Sequence, residues 1–216
     1  MNKQVLIITG GHIDEAFLKE HMLKESYSLI IAADRGLESL DRLGINPDHI
    51  VGDFDSISQD LLISYSHSST KIHRFPKEKD KTDTEIAIDL ALMHKAVKIN
   101  LIGATGSRID HTLANIHLLM EPLELGIEAN ILDEHNKVYL KKEGFTINKD
   151  SQYGRYVSLI AFYGPVEGLV LKGFKYTLDG VRLNIGNSLG ISNEIVDKTA
   201  KIQFSSGFLL VAETLD

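Results

Sequence analysis

Short apolar runs alternate with segments of helical periodicity over roughly the first three-fifths of the chain. Each apolar run is bounded by glycine or polar residues, and strands are predicted for QVLIITG, SLIIAAD, HIVGD, KIHRF, VKINLIGA and IEANILD. Helices are predicted between them, among others for DEAFLKEHMLKE, GLESLDRLG and SQDLLISYS. Strands that alternate with helices indicate a parallel sheet covered by helices on both faces. The N-terminal part is therefore predicted to be a parallel-sheet α/β domain of the Rossmann-like type.

Two later helices carry apolar side chains at intervals of three or four residues, the spacing of one helix face. In DTEIAIDLALMHKA, the recurring side chains are Ile86, Ala87, Leu90, Ala91 and Met93. After the fifth predicted strand, a single helix is predicted with one apolar stripe formed by Leu113, Ile116, Met120 and Leu123.

The texture of the sequence changes near residues 126–136. Beyond that point the apolar runs are short, rich in β-formers and interrupted by glycine, as in KVYLKKEGFTI, RYVSLIAFYG and AKIQFSSGFLLVAET. This pattern predicts an all-β sandwich or barrel. We therefore expect an α/β domain at residues 1–130 and a β-sandwich at residues 131–216.

Composition narrows the function classes. The net charge of −7 disfavours a general nucleic-acid binder, which usually carries a basic face. Because the chain has no cysteine, it has no disulfide, thiolate zinc site or cysteine nucleophile. The apolar run at the start is too short for a signal peptide, and no segment approaches the ~20 apolar residues of a membrane span. We expect a soluble, cytoplasmic protein with no membrane or nucleic-acid partner.

Unusual polar segments follow several predicted strands. Asp34 follows SLIIAA, Asp53 and Asp55 follow HIV, KDKTD lies beyond IHRF, and GATGSRIDH follows INLI. Ligands of parallel sheets bind beyond the carboxyl ends of the strands. We therefore expect these segments, which lie far apart in sequence, to meet at one edge of the sheet.

Each segment also has a purely structural interpretation. Asp53 and Asp55 would lie on the same side of an extended chain, but GDFDS also fits a polar turn. Thr82 and Glu85 fit a helix capping box, and Ser107 and Asp110 fit a weaker one. Asp34 could be simply an acidic residue at the start of a helix. His111, the one histidine that we single out, could be a packed or helix-capping side chain.

Acidic and basic side chains at one edge of the sheet could together bind a polyphosphate and its metal ion. Magnesium prefers one or two carboxylates together with phosphates and water, so Asp53 and Asp55 are candidates to hold it on a nucleotide. Lys79, Lys81 and Arg108 would offset the remaining phosphate charge. Glycines in GATGS allow the backbone to approach an anion, although this loop lacks a full dinucleotide or Walker pattern.

The ordered set of segments resembles the bacterial thiamine pyrophosphokinases. The resemblance rests on AADRGLESL, VGDFDSIS, KDKTDTEIAI, LIGATGSRIDHTLANI and, in the β-rich tail, GISNE at Gly190–Glu194. It implies an α/β nucleotide-binding domain followed by a β-sandwich for thiamine binding and dimerisation. It also implies a homodimer with the active site between subunits. The reaction implied is transfer of the β,γ-pyrophosphate of ATP to the thiamine hydroxyl, releasing AMP.

The same resemblance implies roles for individual residues. The residues around magnesium and pyrophosphate are Asp34, Asp53, Asp55 and Asp83. Those near ATP are Asp34, Lys81, Thr82, Gly103, Thr105, Gly106, Ser107, Arg108, His111 and Asn115. The catalytic set is Asp55, Asp83, Arg108 and Asp110, and the thiamine contacts are Asp110, Ser192 and Asn193.

Two departures from the family pattern concern the substrates. Ser107 stands where the family often has a second glycine, and the chain has no tryptophan, which some members use near thiamine. The expected mechanism is in-line attack of the thiamine hydroxyl on the β-phosphorus, with magnesium held by the Asp-x-Asp pair. Asp110 and Asp83 are both candidates for the carboxylate that orients or deprotonates the hydroxyl.

Other functions share part of this pattern. A sugar-nucleotide transferase also uses an Asp-x-Asp metal pair, but its acceptor has no need for KDKTD and GATGSRIDH. A haloacid-type phosphatase would carry the pair after its first strand rather than its third. A nucleotide-sensing module would bind ATP without turnover. Formation of AMP and thiamine diphosphate separates these alternatives.

Overall fold

The chain divides into two compact units, Met1–Glu134 and His135–Asp216. We describe them from a computed structural model that covers residues 3–55, 57–78 and 80–216. Lys79, grouped above with Lys81 and Arg108, lies outside the described residues.

The N-terminal unit is built on a parallel sheet with the strand order β4-β3-β2-β1-β5-β6. The chain therefore moves outward from β1 to β4 and then returns to place β5 on the other side of β1. Ligands of such sheets bind where the strand order reverses, so the loops after β1 and β5 mark the expected binding position. The strand bounds are β1 Lys3–Ile8, β2 Leu29–Ala33, β3 His49–Gly52, β4 Lys71–Arg74, β5 Ala96–Ile102 and β6 Glu128–Leu132.

Helices connect these strands, as the sequence predicts. Their bounds are α1 Glu15–Lys24, α2 Gly36–Arg42, α3 Gln59–Ser66, α4 Asp83–Met93, α5 Ile109–Leu118 and α6 Met120–Glu124. Helix α1 begins after Asp14, whose carboxylate accepts a hydrogen bond from the Phe17 N–H at 2.7 Å. The predicted cap of α4 is also present, because the Thr82 hydroxyl accepts a hydrogen bond from the Glu85 N–H at 3.2 Å.

The predicted cap of the next helix is wrong. Helix α5 begins at Ile109 after Arg108, whose side chain makes no capping hydrogen bond, so Ser107 lies one residue too early. The single helix predicted from Leu113 to Leu123 is also two helices, since α5 ends at Leu118 and α6 carries a proline in its first turn. Leu113 is 52% exposed, whereas Asn115 on the same helix is buried. Leu113 is therefore not part of the packed face, whereas the other members of the predicted stripe, Ile116, Met120 and Leu123, are half-buried.

The packed face of α4 is also rotated from the prediction. Ala87 and Ala91 are buried, as expected, but the large buried side chain between them is Ile88. Met93 is 78% exposed. The small side chains of Ala87 and Ala91 allow the helix to lie close to the sheet. These alanines therefore determine which face of α4 is packed.

The C-terminal unit consists of antiparallel strands in two layers that share one long strand, β9. The first half of β9 pairs with β13, which also pairs with β7. Its second half pairs with β10 and β12, and β12 also pairs with β8. The bounds are β7 Asn136–Lys141, β8 Phe145–Asn148, β9 Tyr156–Lys172, β10 Leu178–Leu183, β11 Asn193–Glu194, β12 Thr199–Gln203 and β13 Ser206–Thr214, with a short 3-10 helix at Lys149–Ser151.

Both layers contribute to one buried core. Val157, Leu159 and Val211 come from the layer of β9 and β13, whereas Leu171 and Ile202 come from the layer of β9 and β12. Packing of two antiparallel layers over a common apolar core confirms the predicted β-sandwich. Among the helices in the described part of the chain, none is long and apolar enough to cross a membrane.

Candidate active site

A cavity of about 1010 Å3 opens at the carboxyl ends of the strands in the N-terminal unit. Its wall includes the loops after β1 and β5, where the strand order reverses, together with the start of α4. The predicted site residues that line it are Asp34, Asp53, Lys81, Thr82, Asp83, Gly103, Thr105, Gly106, Ser107, Arg108, His111 and Asn115. Segments far apart in sequence therefore meet at one edge of the sheet.

Glycines bring the backbone of the two central loops into direct contact. The Gly11 N–H donates to the Gly103 carbonyl at 2.8 Å, and the His12 N–H donates to the Thr105 carbonyl at 2.7 Å. A Cβ atom on Gly11 would lie 2.3 Å from the Gly103 oxygen, and Gly103 itself has φ +78. Only glycine fits these two positions, which suits a loop that must leave room for a ligand.

Three of the predicted acids share the cavity wall: Asp34, Asp53 and Asp83. Asp34 has φ 48, an unusual value for a residue with a side chain, and its N–H donates to the Val51 carbonyl at 2.9 Å. Non-glycine residues in this conformation cluster at functional sites, where the surrounding structure holds them in place.

The GDFDS segment is a turn rather than an extended strand. Phe54 has φ 65 and is buried, and the Asp53 carboxylate accepts a hydrogen bond from the Asp55 N–H at 2.9 Å. The polar-turn interpretation is therefore locally correct, and the two acids are not side by side on a strand. The buried phenylalanine anchors the turn, so the acids on either side of it are left at the surface.

Asp55 and Asp110 do not line the cavity. Each forms an ion pair with a basic residue that does. Asp55 binds Lys77 at 2.7 Å, and this hydrogen bond raises the pKa of Lys77. Asp110 receives two hydrogen bonds from Arg108, at 3.2 and 2.6 Å. That hydrogen bonding lowers the pKa of Asp110, so its carboxyl group is ionised at neutral pH.

Lys81 also lies in an exposed network at this edge. Its ammonium group is 2.6 Å from Asp89 and 3.4 Å from Glu85, both on α4. The hydrogen bond to Asp89 is the main reason why the pKa of Lys81 is raised. Exposed ion pairs are worth little in stability, so such side chains can exchange partners when an anion arrives.

The loop after β5 is fixed by buried polar groups. The Asn115 amide donates to the Ala104 carbonyl at 2.8 Å, and the Thr105 hydroxyl donates to the Asp133 carboxylate at 2.9 Å. Asn115 and Asp133 are both buried. Buried polar groups need partners, so these contacts hold the loop in one conformation before any ligand binds.

The two remaining predicted residues, Ser192 and Asn193, belong to the C-terminal unit. Ser192 has φ 55, and its N–H donates to the Ser158 hydroxyl at 3.0 Å. The Asn193 side chain is 5% exposed and pairs with the backbone of Tyr176, accepting from the N–H at 3.0 Å and donating to the carbonyl at 2.7 Å. The amide of Asn193 therefore holds Tyr176 in place, and the Tyr176 ring is 60% exposed.

Other residues of the cavity were not predicted from the sequence: Thr9, Gly10, Gly11, His12, Arg35, Lys77, Thr84 and Thr112. The glycine pair directly after the first strand was a visible signal, since β1 precedes the reversal of the strand order. Lys77 and Arg35 carried no comparable signal, because lysine and arginine are common on any surface.

The acids fit a metal ion that arrives with a nucleotide better than one held by the protein alone. Within residues 3–55, 57–78 and 80–216, no group of three or more histidine or acidic side chains is arranged to hold a metal ion. Magnesium, however, is commonly bound by one or two carboxylates together with phosphate oxygens and water. Asp34, Asp53 and Asp83 line the same cavity and supply oxygen ligands of that kind.

Both units match the same protein family. Residues 20–131 match the family model described as "Thiamin pyrophosphokinase, catalytic domain", and residues 144–209 match "Thiamin pyrophosphokinase, vitamin B1 binding domain". Thiamine pyrophosphokinase of Bacillus subtilis is 34% identical over 193 residues, which cover 89% of this chain and 90% of that protein.

Solved structures agree with the sequence comparison. The crystal structure of thiamine pyrophosphokinase from Bacillus subtilis superposes with a TM-score of 0.89 at 31% identity, covering 99% of this chain and 100% of that one. Thiamin pyrophosphokinase from Geobacillus thermodenitrificans superposes with a TM-score of 0.84 at 30% identity, covering 99% of this chain and 98% of that one. The chain therefore belongs to the thiamine pyrophosphokinase family, whose members are ATP-dependent pyrophosphotransferases.

Proposed function

We propose that this enzyme transfers the β,γ-pyrophosphate of ATP to the hydroxyl of thiamine, giving thiamine diphosphate and AMP. The observation that carries the proposal is the meeting of Asp34, Asp53 and Asp83 with two glycine-containing loops in one cavity. Carboxylates can bind a metal cation, and glycine loops let the backbone approach phosphate oxygens. Both features in one cavity favour a nucleotide bound with its metal ion over a metal ion alone or a nucleotide alone.

The nucleotide phosphates are assigned to the loop after β5 and the start of α4. In this proposal Gly103, Thr105, Gly106 and Ser107 approach the phosphates, while Lys81, Thr82, Arg108, His111 and Asn115 complete the ATP site. The fixed loop conformation supports this role, because a site that is ordered in advance loses less entropy on binding.

Magnesium is assigned to Asp34, Asp53 and Asp83, with Asp55 beside them. When bound with ATP, the ion would supply positive charge that neutralises the negative charge developing on the phosphates. Asp55 is bonded to Lys77 at 2.7 Å, so it joins this group only if Lys77 turns to the phosphates instead. The exposed position of this pair makes such an exchange inexpensive.

Arg108 and Asp110 are assigned the central step. When the ATP phosphates attract Arg108, its ion pair with Asp110 opens and leaves that carboxylate an acceptor. The thiamine hydroxyl oxygen then forms a bond to the β-phosphorus, its proton passes to a carboxylate, and the bond to the bridging oxygen of AMP breaks. Asp83, which lines the cavity, is the alternative acceptor for the proton.

Thiamine is assigned to the C-terminal unit through Ser192, Asn193 and Tyr176. The exposed ring of Tyr176, held by the Asn193 amide, is our candidate for the aromatic group that packs on thiamine in a chain without tryptophan. Asn193 then acts mainly by positioning Tyr176, since both ends of its amide are already bonded. We also propose a cytoplasmic homodimer with the active site between subunits.

A product assay tests the reaction. The enzyme is incubated with ATP, magnesium and thiamine, and the products are separated by chromatography. We expect AMP and thiamine diphosphate in equal amounts. Formation of ADP or free phosphate, or no reaction, would contradict the proposal. Full activity of a monomer, measured by light scattering at the assay concentration, would contradict the dimer.

A further inference from the structure

Four arginine or lysine side chains of the described residues line the cavity, and they differ in how they are paired. Lys77, Lys81 and Arg108 each have a carboxylate oxygen within hydrogen-bond distance, at 2.7, 2.6 and 2.6 Å respectively. The Nη2 atom of Arg35, in contrast, lies 3.9 Å from Oε2 of Glu38, which is too long for a hydrogen bond. Of these four cations, Arg35 is therefore the one that can bind an anion without first breaking a hydrogen-bonded ion pair.

The guanidinium of Arg35 is charged and accessible. An arginine side chain is not deprotonated in proteins, and its planar set of N–H groups can bind two oxygens of one phosphate group at the same time. The Arg35 side chain is 59% exposed, and the residue lines the cavity. A ligand in the cavity can therefore reach it in the structure as it stands.

The backbone of Arg35 is fixed against the end of β1. Arg35 directly precedes Gly36, where a Cβ atom would collide with the carbonyl oxygen of Ile8, the last residue of β1. A Cβ atom on Gly10, in the loop after β1, would lie 3.2 Å from the Cβ atom of Arg35. These close contacts hold the start of α2 in place, so the Arg35 side chain leaves the backbone at a defined point.

Arg35 lies across the cavity from the loop that is assigned to the phosphates. It follows β2, which is separated from β5 by β1, and adjacent strands lie ~4.8 Å apart, so the ends of β2 and β5 are roughly 10 Å apart. The strand order reverses after β4, and right-handed crossovers therefore place α2 on one face of the sheet and α4 and α5 on the other. Arg35 thus approaches the cavity from the opposite face to Lys81 and Arg108, which precede α4 and α5.

The neighbouring acids indicate which part of ATP meets Arg35. Most of the negative charge of ATP lies on its β- and γ-phosphates, so a metal ion held by Asp34 and Asp53 would be drawn to that end of the nucleotide. Arg35 is next to Asp34 in the chain and therefore faces the same end. We propose that Arg35 binds the β,γ-pyrophosphate of ATP, the group that is transferred; this inference rests on the proposed function.

Binding of pyrophosphate and of AMP, each with magnesium, tests the proposal by calorimetry. Arg35→Gln removes the positive charge, and we expect it to bind pyrophosphate roughly tenfold more weakly and AMP as the wild type does. Arg35→Lys keeps the charge but loses the planar pair of donors, so its loss should be smaller. Unchanged pyrophosphate affinity, weakening of AMP by as much as pyrophosphate or more, or no pyrophosphate binding by the wild type would overturn the proposal.

The product of the reaction provides a second measurement. Thiamine diphosphate carries the transferred pyrophosphate, whereas thiamine carries no phosphate. Arg35→Gln should therefore bind thiamine diphosphate several-fold more weakly than the wild type does, with its affinity for thiamine unchanged. An equal loss of affinity for both compounds would contradict the proposal, because the substitution would then act on something other than the pyrophosphate.

Arg42→Gln is the matched control. Arg42 lies at the other end of α2, where it forms an exposed ion pair with Glu15, and it does not line the cavity. We expect this variant to bind every ligand as the wild type does. Near-ultraviolet circular dichroism and thermal unfolding of each variant show whether the fold is retained. If Arg42→Gln weakened pyrophosphate binding as much as Arg35→Gln, the effect would come from the overall charge of the protein and the assignment to Arg35 would fail.

The outcome for Arg35 can be separated from the outcome for the proposed reaction. Weaker pyrophosphate binding by Arg35→Gln, together with no thiamine diphosphate from the wild type, would reject the transfer reaction and support Arg35 as a pyrophosphate ligand. Normal product formation by the wild type, with unchanged pyrophosphate binding by Arg35→Gln, would reject this role of Arg35 and leave the reaction standing.

Discussion

The two ends of α4 lie in different chemical environments. At its start, Thr82 and Asp83 line the cavity, and Lys81 forms exposed ion pairs. At its end, His94 packs edge-on against His49, with ring centroids 4.9 Å apart. His49 is 4% exposed and shares a hydrogen bond of 2.8 Å with His73.

The difference separates polar groups that can change partners from those that cannot. Exposed ion pairs at the start of α4 contribute little to stability and can be exchanged for phosphates or a metal ion. At the other end, the buried His49 depends on its hydrogen bond to the half-buried His73, and loss of a partner there is costly. We therefore expect changes at the start to reduce activity and changes at the end to reduce stability.

The largest effect is expected for Asp55→Ala, in the turn after β3, where Asp55 pairs with Lys77 of the cavity wall. Turnover should fall ~100-fold or more, the scale of lost electrostatic stabilisation, while the free energy of unfolding stays nearly constant because the ion pair with Lys77 is exposed. Steady-state kinetics and chemical denaturation measure the two quantities. Asp60→Ala, an exposed acid on α3, is the matched control. Near-normal AMP formation by Asp55→Ala would remove Asp55 from the mechanism.

The second effect concerns pH and the histidine cluster. Burial is the main cause that lowers the pKa of His49 to about 4, helped by His73, His94 and Lys71 and opposed by Asp48. The unfolded chain therefore binds more protons than the folded one between about pH 6.5 and pH 4, so stability is full above that window and falls as the pH drops through it.

Denaturation at pH 7 and pH 4.5 measures this loss. We expect the free energy of unfolding to fall by about 2 kcal/mol more in the wild type than in His49→Gln, a value reduced for residual solvent screening. His67→Gln, at an exposed position, is the control and should lose as much stability as the wild type. An identical loss in all three proteins would show that the cluster does not control acid stability.

The third effect returns to the start of α4. Lys81→Met removes an ammonium group from the cavity wall but only exposed ion pairs from the fold. We expect ATP affinity to fall roughly tenfold and the free energy of unfolding to change by less than about 1 kcal/mol. Calorimetry and denaturation measure the two. If Lys81→Met lowered the free energy of unfolding more than the free energy of ATP binding, Lys81 would be a residue that supports the fold rather than one that binds ATP.

Much of the site could be predicted because the rule about strand ends needs only the strands and the residues after them. Asp34, Asp53 and Asp83 were placed in this way, and the cavity contains all three. The glycine pair after β1 was missed because its importance depends on the strand order, and that order is set by long-range pairing of β1 with β5. No local pattern in the sequence reports such a pairing.

The faces of α4 and α5 were harder to predict for a related reason. Periodicity finds a helix, but a helix with apolar residues on several sides allows more than one packed face. Ile88 and Asn115 are buried because the alanines of α4 lie against the sheet and the Ala104 carbonyl needs a donor. Both causes are contacts with other elements.

Met93 tests that distinction with the smallest expected effect. Periodicity alone would place it in the core, where Met→Ala typically costs 2–5 kcal/mol, a range taken as about that observed for buried side chains. In the structure it is 78% exposed near the end of α4, so Met93→Ala should change the free energy of unfolding by less than about 0.5 kcal/mol and leave turnover unchanged. Ile88→Ala on the same helix is the comparison and should cost about 2 kcal/mol or more, since that side chain is buried. If the two variants unfolded at the same denaturant concentration, the assignment of the packed face of α4, and with it the separation between its two ends, would be wrong.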